Sequence, residues 1–297
     1  MRNVVYIKPK LLRRICSAII DFILLMVLGV FFSFAITPII ENTSSYKENM
    51  SIYNEYAVAS GLYQFDEEHE KIIQYQIKDE QILIDFYCNK TSNEETYVTK
   101  KKESNLYDYD ENTKTFTKKE ETTDEQLYTF YTRMQNIGID SYLNDYIESF
   151  DEAKKASHLL AAYNLLELSI CAFLGLLIVY ILIPLIFKDG ISIGKLMFRL
   201  RIVSTKGNGQ VRKLQLLFRG LVIIFFEMIA SIYTMSMFYV PLFLVISLII
   251  MFVNKKQLTF HDLVCSTMVV DSENRSNIRE SEKIIITYPM EETKNGK

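Results

Sequence analysis

Apolar positions fall in three long runs that are almost free of charge, Phe22–Ile40, Leu168–Phe187 and Leu221–Val253. Uncharged runs of about 18 residues or more are long enough to cross a bilayer as helices. The first run follows Arg2, Lys8, Lys10, Arg13 and Arg14. It is longer than the core of a cleaved signal and no small-x-small site follows it, so a retained helix is predicted. The second run ends at Pro184 and Lys188. The third region extends back to Leu214, and as a single helix it would be roughly 60 Å long, about twice the hydrocarbon thickness. It is therefore predicted as two spans with a turn near Tyr233–Phe238, where Tyr233 and Tyr239 suit an interfacial aromatic belt.

The segment between the first two runs, 41–158, is too long for a plain connection. Ile73, Tyr75 and Ile77 fall at every second position, as do Ile82, Ile84 and Phe86, with Lys78–Gln81 between them. This period of two predicts a hairpin over Ile72–Cys88 with one apolar face. Thr123 before Asp124 and Glu125 reads as a helix start, and Leu127, Phe130, Tyr131 and Met134 follow at helical spacing. Lys100–Glu121 has little apolar content and is read as a loop. The expected fold class is a mainly α membrane protein, a four-helix transmembrane bundle with a small α+β extracytoplasmic insertion. Its expected parts are 1–40 (N-terminus and first span), the insertion 41–158, 159–187 (second span), a cytoplasmic membrane-surface segment 188–213, 214–253 (third and fourth spans) and a cytoplasmic tail 254–297.

Charge sets the expected orientation. Segment 41–158 holds 25 acidic against 13 basic residues, a balance of −12, while the remainder holds 20 basic against 11 acidic, +9. Short basic loops stay cytoplasmic, so both termini are expected inside and 41–158 outside the cell membrane. A balance of 33 basic to 36 acidic residues without a basic stripe argues against nucleic-acid binding. The four cysteines, Cys16, Cys88, Cys171 and Cys265, make no disulfide scaffold, and His69 and Cys88 lack partners for a metal cluster.

Few residues carry candidate chemistry. Asp21 lies early in the first span, where an ionised carboxylate costs about 2.5–3.5 kcal/mol and therefore faces a partner or water. Arg14 shares its face seven residues earlier, about 10 Å away along the axis. Glu227 sits mid-span among Phe225, Phe226, Met228 and Ile229. With Asp21 it is a candidate proton or ion site; the plainer reading is a neutral, hydrogen-bonded Glu. Glu167 reads as interfacial. Gly190-Ile191-Ser192-Ile193-Gly194-Lys195 invites a phosphate-loop reading, but that motif needs glycine where Asp189 stands. An element on the inner membrane surface is expected instead, with Lys195, Arg199 and Arg201 near anionic lipid heads.

Taken together, Arg14 with Asp21, the Gly190, Ser192, Gly194, Lys195 stretch, Arg219, and Asp262 in the His-Asp pair after the last span resemble the RDD family of membrane proteins. The resemblance covers 11–40 and roughly 160–271, with Ser192 in the place of that family's Thr, and departs in the insertion and in the tail beyond Asp271. It implies a multi-pass membrane protein with transport suggested. Arg14, Asp21, Arg219 and Asp262 are expected to form one polar network, with Asp21 and Arg219, at matching depths of roughly 7–8 Å, as a direct pair. Their role is either a structural ion-pair network or ion and proton handling. No catalytic constellation is present, so no enzyme and no cofactor are expected. The first functional expectation is ion or small-solute transport, by an oligomer since four spans enclose little volume. The second is a non-transporting accessory protein whose outer segment binds another membrane protein. The expected surroundings are the lipid bilayer and a homo-oligomer or other membrane-protein partner.

Overall fold

The computed structural model describes residues 2–66, 71–206, 209–234, 246–247, 249–254, 256–272 and 283–288. It is mostly helical with some sheet. The chain divides into two compact units, Met1–Ile39 with Leu165–Lys297, and Ile40–Asn164.

In the first unit, the helix Leu11–Glu41 presents Phe22, Met26, Val30 and Phe34 outward, the last 78% exposed. The inward stripe Arg14, Ser17, Asp21, Leu25, Leu28 runs in steps of three, four, four and three, the spacing of one helical face. A second long apolar helix begins at Asp151 and runs to Ile186. It starts well before the predicted Leu168, because the polar stretch from Asp151 continues the same helix without a break. A π-turn occupies Ile178–Leu182 just before Pro184. Pro184 has no N–H for the carbonyl of Tyr180, and widening the turn accommodates the ring.

These two helices are long and apolar enough to cross a membrane. A further helix spans Lys213–Thr234. Ile246, Ser247 and Ile249–Val253 are also helical, whereas the predicted turn at Tyr233–Phe238 and the start of the fourth span fall largely outside the described residues. The four-helix bundle is thus replaced by a coarser description: two candidate spans, other helices and a sheet.

The sheet is four-stranded and antiparallel throughout, in the order Leu200–Ser204, Thr267–Asp271, Arg2–Ile7, Lys283–Tyr288. In the edge strand Ile284 and Ile286 are buried and Ile285 faces out, the period-two signature of a half-buried strand. Thr267–Asp271, flanked by strands on both sides, is buried at every position. Two expectations are corrected here. The tail 254–297 is not merely a tail, since it supplies two strands. Nor does the end of Gly190–Val203 lie along a surface: Leu200, Ile202 and Val203 are core residues packed with Leu216, Val269 and Met268, whereas Leu196 and Met197 are exposed.

The second unit is α+β with its own aromatic core around Leu62, Leu83, Phe86, Tyr87, Met134 and Ile147, each fully buried. Thr123 caps the helix Asp124–Ser141 through a capping box with Gln126, and Phe130, Tyr131 and Met134 on one face are buried as their spacing predicts. The predicted Ile72–Cys88 hairpin is not formed. Lys71–Gln74 pairs back onto Tyr63–Asp66, and Glu80–Lys90 is helical, capped by Asp79. Its alternating apolar residues meet the core because this helix is apolar on more than one side. Lys100–Glu121 is likewise no loop: it contains the end of helix Glu94–Glu103 and a hairpin of Tyr107–Asp110 with Thr115–Lys118. Gln135 Nε2 donates to the carbonyls of Leu62 and Tyr75 at 2.6 and 2.7 Å, tying the first hairpin to the long helix.

Candidate functional site

The charged residues of the first unit meet in two clusters. In the first, Asp21 is 2% exposed on the inward stripe of its helix. Its carboxylate accepts from Ser192 Oγ at 2.6 Å and from the Gly194 backbone N–H at 2.8 Å, with Lys195 Nζ at 3.5 Å. Ser192 caps the short helix Ile193–Met197 and also accepts from Lys195 Nζ at 2.9 Å. Gly194 is required by proximity: a Cβ there would stand 2.1 Å from the carbonyl oxygen of Ser17. Gly190 adopts φ +65° beside Leu216. The Gly190, Ser192, Gly194, Lys195 stretch therefore clasps a buried carboxylate of the first long helix, and Lys195 turns to Asp21.

In the second cluster, Asp262 is completely buried. Arg219 Nη1 lies 2.9 Å from Oδ1 and Arg14 Nη2 lies 3.3 Å from Oδ2. Thr259 Oγ1 donates to Oδ2 at 2.7 Å, its backbone N–H approaches the same oxygen at 3.3 Å, and Thr267 Oγ1 donates to Oδ1 at 3.2 Å. Arg14 also donates to the carbonyl of Gln257. A buried carboxylate with two guanidiniums and further donors has its lone pairs satisfied, the condition under which such a charge persists in low dielectric. Because Thr259 Oγ1 gives its proton to Asp262, His261 Nε2 at 2.9 Å stands as the donor to that hydroxyl.

Burial works against the charge of Asp262, but Arg219 above all, with His261, Arg14 and the Thr259 hydrogen bond, holds its carboxyl well below the usual range. Burial, reinforced by Arg219, pushes the His261 imidazole down to about 3, leaving it neutral. Burial also lowers the Lys195 ammonium, against the upward pull of Asp21. Nearby, Arg13 Nη1 lies 3.3 Å from the buried carboxylate of Asp271, joining the first helix to the sheet.

The expected direct pair of Asp21 with Arg219 is corrected: the counter-ion of Arg219 is Asp262, and Asp21 is taken by the Ser192–Lys195 stretch. Equal depth along two helices does not set rotation about their axes, and rotation decides the partner. Arg14, Arg219 and Asp262 are in direct contact. The side chain of Glu227 lies outside the described residues. Glu167 accepts from Thr37 Oγ1 across the two long helices. Thr259, Thr267, Asp271 and Arg13 were not singled out in the sequence. Only Thr259 carried a signal, the Thr-Phe-His-Asp spacing of a capping box.

Both clusters border one cavity of about 180 Å³, lined among others by Arg14, Asp21, Lys195, Arg219, Thr259 and His261. That is space for several water molecules or a small solute. Among the described residues no group of His, Cys, Asp and Glu is arranged to hold a metal ion.

A mostly helical chain with two helices of spanning length and a buried cluster of charges is a protein of membrane type. The model of the RDD family matches residues 136–266, a stretch that holds Ser192–Lys195, Arg219 and Asp262, and the match is consistent with the resemblance read from those motifs. Arg14 and Asp21 lie before the matched stretch. No curated protein matches the chain, and no solved structure matches it.

Proposed function

We propose that this RDD family protein crosses the cell membrane several times and moves an ion or small solute through the charged cavity, without enzymatic chemistry. The observation that carries this reading is the cavity itself: three cations (Arg14, Lys195 and Arg219), the Asp21 carboxylate and the neutral His261 imidazole line open volume whose remaining walls are mostly apolar. Such groups are costly in a membrane protein unless they serve a path or a fold. Sheet parity supports several crossings. Arg2–Ile7 pairs with Lys283–Tyr288, and Leu200–Ser204 pairs with Thr267–Asp271. All four strands must lie on one side of the bilayer, so the chain crosses an even number of times between Ile7 and Leu200 and again between Ser204 and Thr267. Two helices fill the first interval, and Lys213–Thr234 with the helical residues up to Val253 fit the second. The −12 against +9 charge split supports placing the sheet and both termini in the cytoplasm and 41–158 outside.

The test is flux into proteoliposomes made with the purified chain under gradients of Na⁺, K⁺, Cl⁻ and H⁺. Flux above that of empty vesicles, reduced by Lys195→Ala, supports transport; vesicles no more permeable than empty ones count against it. A second reading, an accessory protein acting through 41–158, is favoured by the separate core of Ile40–Asn164. It expects no flux and retention of another membrane protein that is lost when 41–158 is removed.

A further inference from the structure

The helix Lys213–Thr234 buries one face through Leu216, Arg219, Gly220, Ile223 and Ile224. The opposite face exposes Leu214, Phe218, Leu221 and Phe225, the first by 74%. Steps of four, three and four place these on one side of the helix. At the N-terminal end of this face the character changes abruptly. Lys206, Arg212 and Lys213 are exposed there. Between them opens a groove of about 900 Å³ lined by Lys206, Arg212, Leu214, Phe218, Leu221 and Val264, with no carboxylate among its lining residues. Part of its lining is polar, since Gln215 Nε2 donates to Ser204 Oγ at 3.2 Å and to the Cys265 carbonyl at 3.4 Å.

We infer that this groove seats one anionic glycerophospholipid, its phosphate between Lys206 and Arg212 and an acyl chain along Leu214, Phe218 and Leu221. The inference rests on the membrane-spanning reading above. An uncharged lipid leaves the two cations unused. A second copy of the chain docked symmetrically brings like charges together at the same end. A free phosphate leaves the apolar face open. A basic pocket beside a spanning helix on the positive side of the protein is where anionic headgroups are attracted, each Lys or Arg contributing roughly a fivefold gain in binding. The site lies apart from the Asp21 and Asp262 clusters, which occupy the buried face of the same helix.

The test is native mass spectrometry of the purified full chain in non-ionic detergent, titrated with phosphatidylglycerol or phosphatidylcholine of equal chain length. The expected result is a preference for phosphatidylglycerol that falls about fivefold in Lys206→Gln and further in the double variant Lys206→Gln, Arg212→Gln, with phosphatidylcholine adducts unchanged. If the double variant fails to fold, the single exposed lysine change decides. Equal retention of the two lipids, or an undiminished preference in the variants, overturns the inference. So does displacement of phosphatidylglycerol by equimolar glycerol 3-phosphate, which marks a phosphate site, or a dimer that Phe218→Gln dissolves without lipid, which marks a self-interface. Detergent phase partitioning separates the two readings. A chain that stays in the aqueous phase fails the spanning reading, and one that enters detergent without lipid preference fails only the groove.

Discussion

The backbone N–H of Gly194 donates to Asp21 Oδ1 at 2.8 Å, joining positions 173 residues apart. This contact needs a glycine, because any Cβ at 194 meets the carbonyl oxygen of Ser17. The carboxylate in the first long helix is thereby held by a hydroxyl, an amide and an ammonium from one short stretch. That stretch is a clamp on the helix.

Gly194→Ala is accordingly expected to push the first helix away from the Ser192–Lys195 stretch, at about 1–3 kcal/mol, the usual cost of overpacking. Thermal unfolding of the detergent-solubilised protein measures this. Gly29→Ala in the same helix meets nothing within 4 Å and is expected to leave the midpoint unchanged or slightly raised. Equal losses from both changes would remove the clamp.

Asp262→Asn strands two buried guanidiniums and is expected to cost about 3–5 kcal/mol. Combining it with Arg219→Gln should recover part of the loss, because the pair is in contact. Asp21→Asn combined with Arg219→Gln should be near additive, since these two have different partners. A cycle of four folding yields for each pair is the measurement; coupling in the second cycle and none in the first would reverse the assignment of counter-ions.

Acid should destabilise the first unit early. The imidazole of His261 is pushed down to about 3 in the fold, against about 6.5 for an unfolded chain. Between these values the unfolded state takes a proton that the native state refuses, so stability falls as pH drops from about 6.5 towards 3. Asp262, held below its ordinary range, adds a further loss beneath about pH 4. Unfolding midpoints between pH 7 and 4 should slope downward for the parent chain and flatten in His261→Gln.

In Ile40–Asn164, Lys101 is only 6% exposed. Its ammonium lies 4.1 Å from the Tyr107 ring centroid and 4.8 Å from that of Phe116, and it pairs with Glu80. Tyr97 OH donates to the same carboxylate at 2.6 Å. Glu80→Ala leaves a caged, unpaired cation and should cost about 3 kcal/mol or more. Limited proteolysis of this unit should accelerate accordingly, and an unchanged rate would mean that the aromatic rings alone hold Lys101.

Orientation is open to chemical labelling. Single cysteines engineered at Asn112 and Lys206, in a chain lacking the native four, should react with a membrane-impermeant maleimide in intact cells at the first site only. Labelling at Lys206 alone would invert the proposed topology.

Much of the candidate site was legible. Arg14, Asp21, Arg219 and Asp262 stand out because charge beside long apolar runs is expensive, and the Gly190–Lys195 stretch stands out by its glycines. The partners were not legible. Ser192 and Lys195 reach Asp21 only because the stretch folds back onto the first helix, and Asp262 takes Arg219 because the short helix Phe260–Val264 enters between Arg14 and the helix Lys213–Thr234.

By itself the sequence determined what depends on local composition and spacing. That covers the existence of the two long apolar helices, the start of the helix at Thr123 with its buried face, and which charges need partners. Run length, period and capping act within a few turns of chain, so they can be read along it. The tertiary structure alone decided the four-stranded sheet, whose strands come from residues 2–7 and 283–288 at opposite ends of the chain. It also decided the helical form of Glu80–Lys90, where an alternating pattern suited either state until the core of Leu83, Phe86 and Tyr87 closed around it. Pairing register, helix rotation and the choice of counter-ion arise from contacts between distant segments, and no window of sequence contains both sides of such a contact.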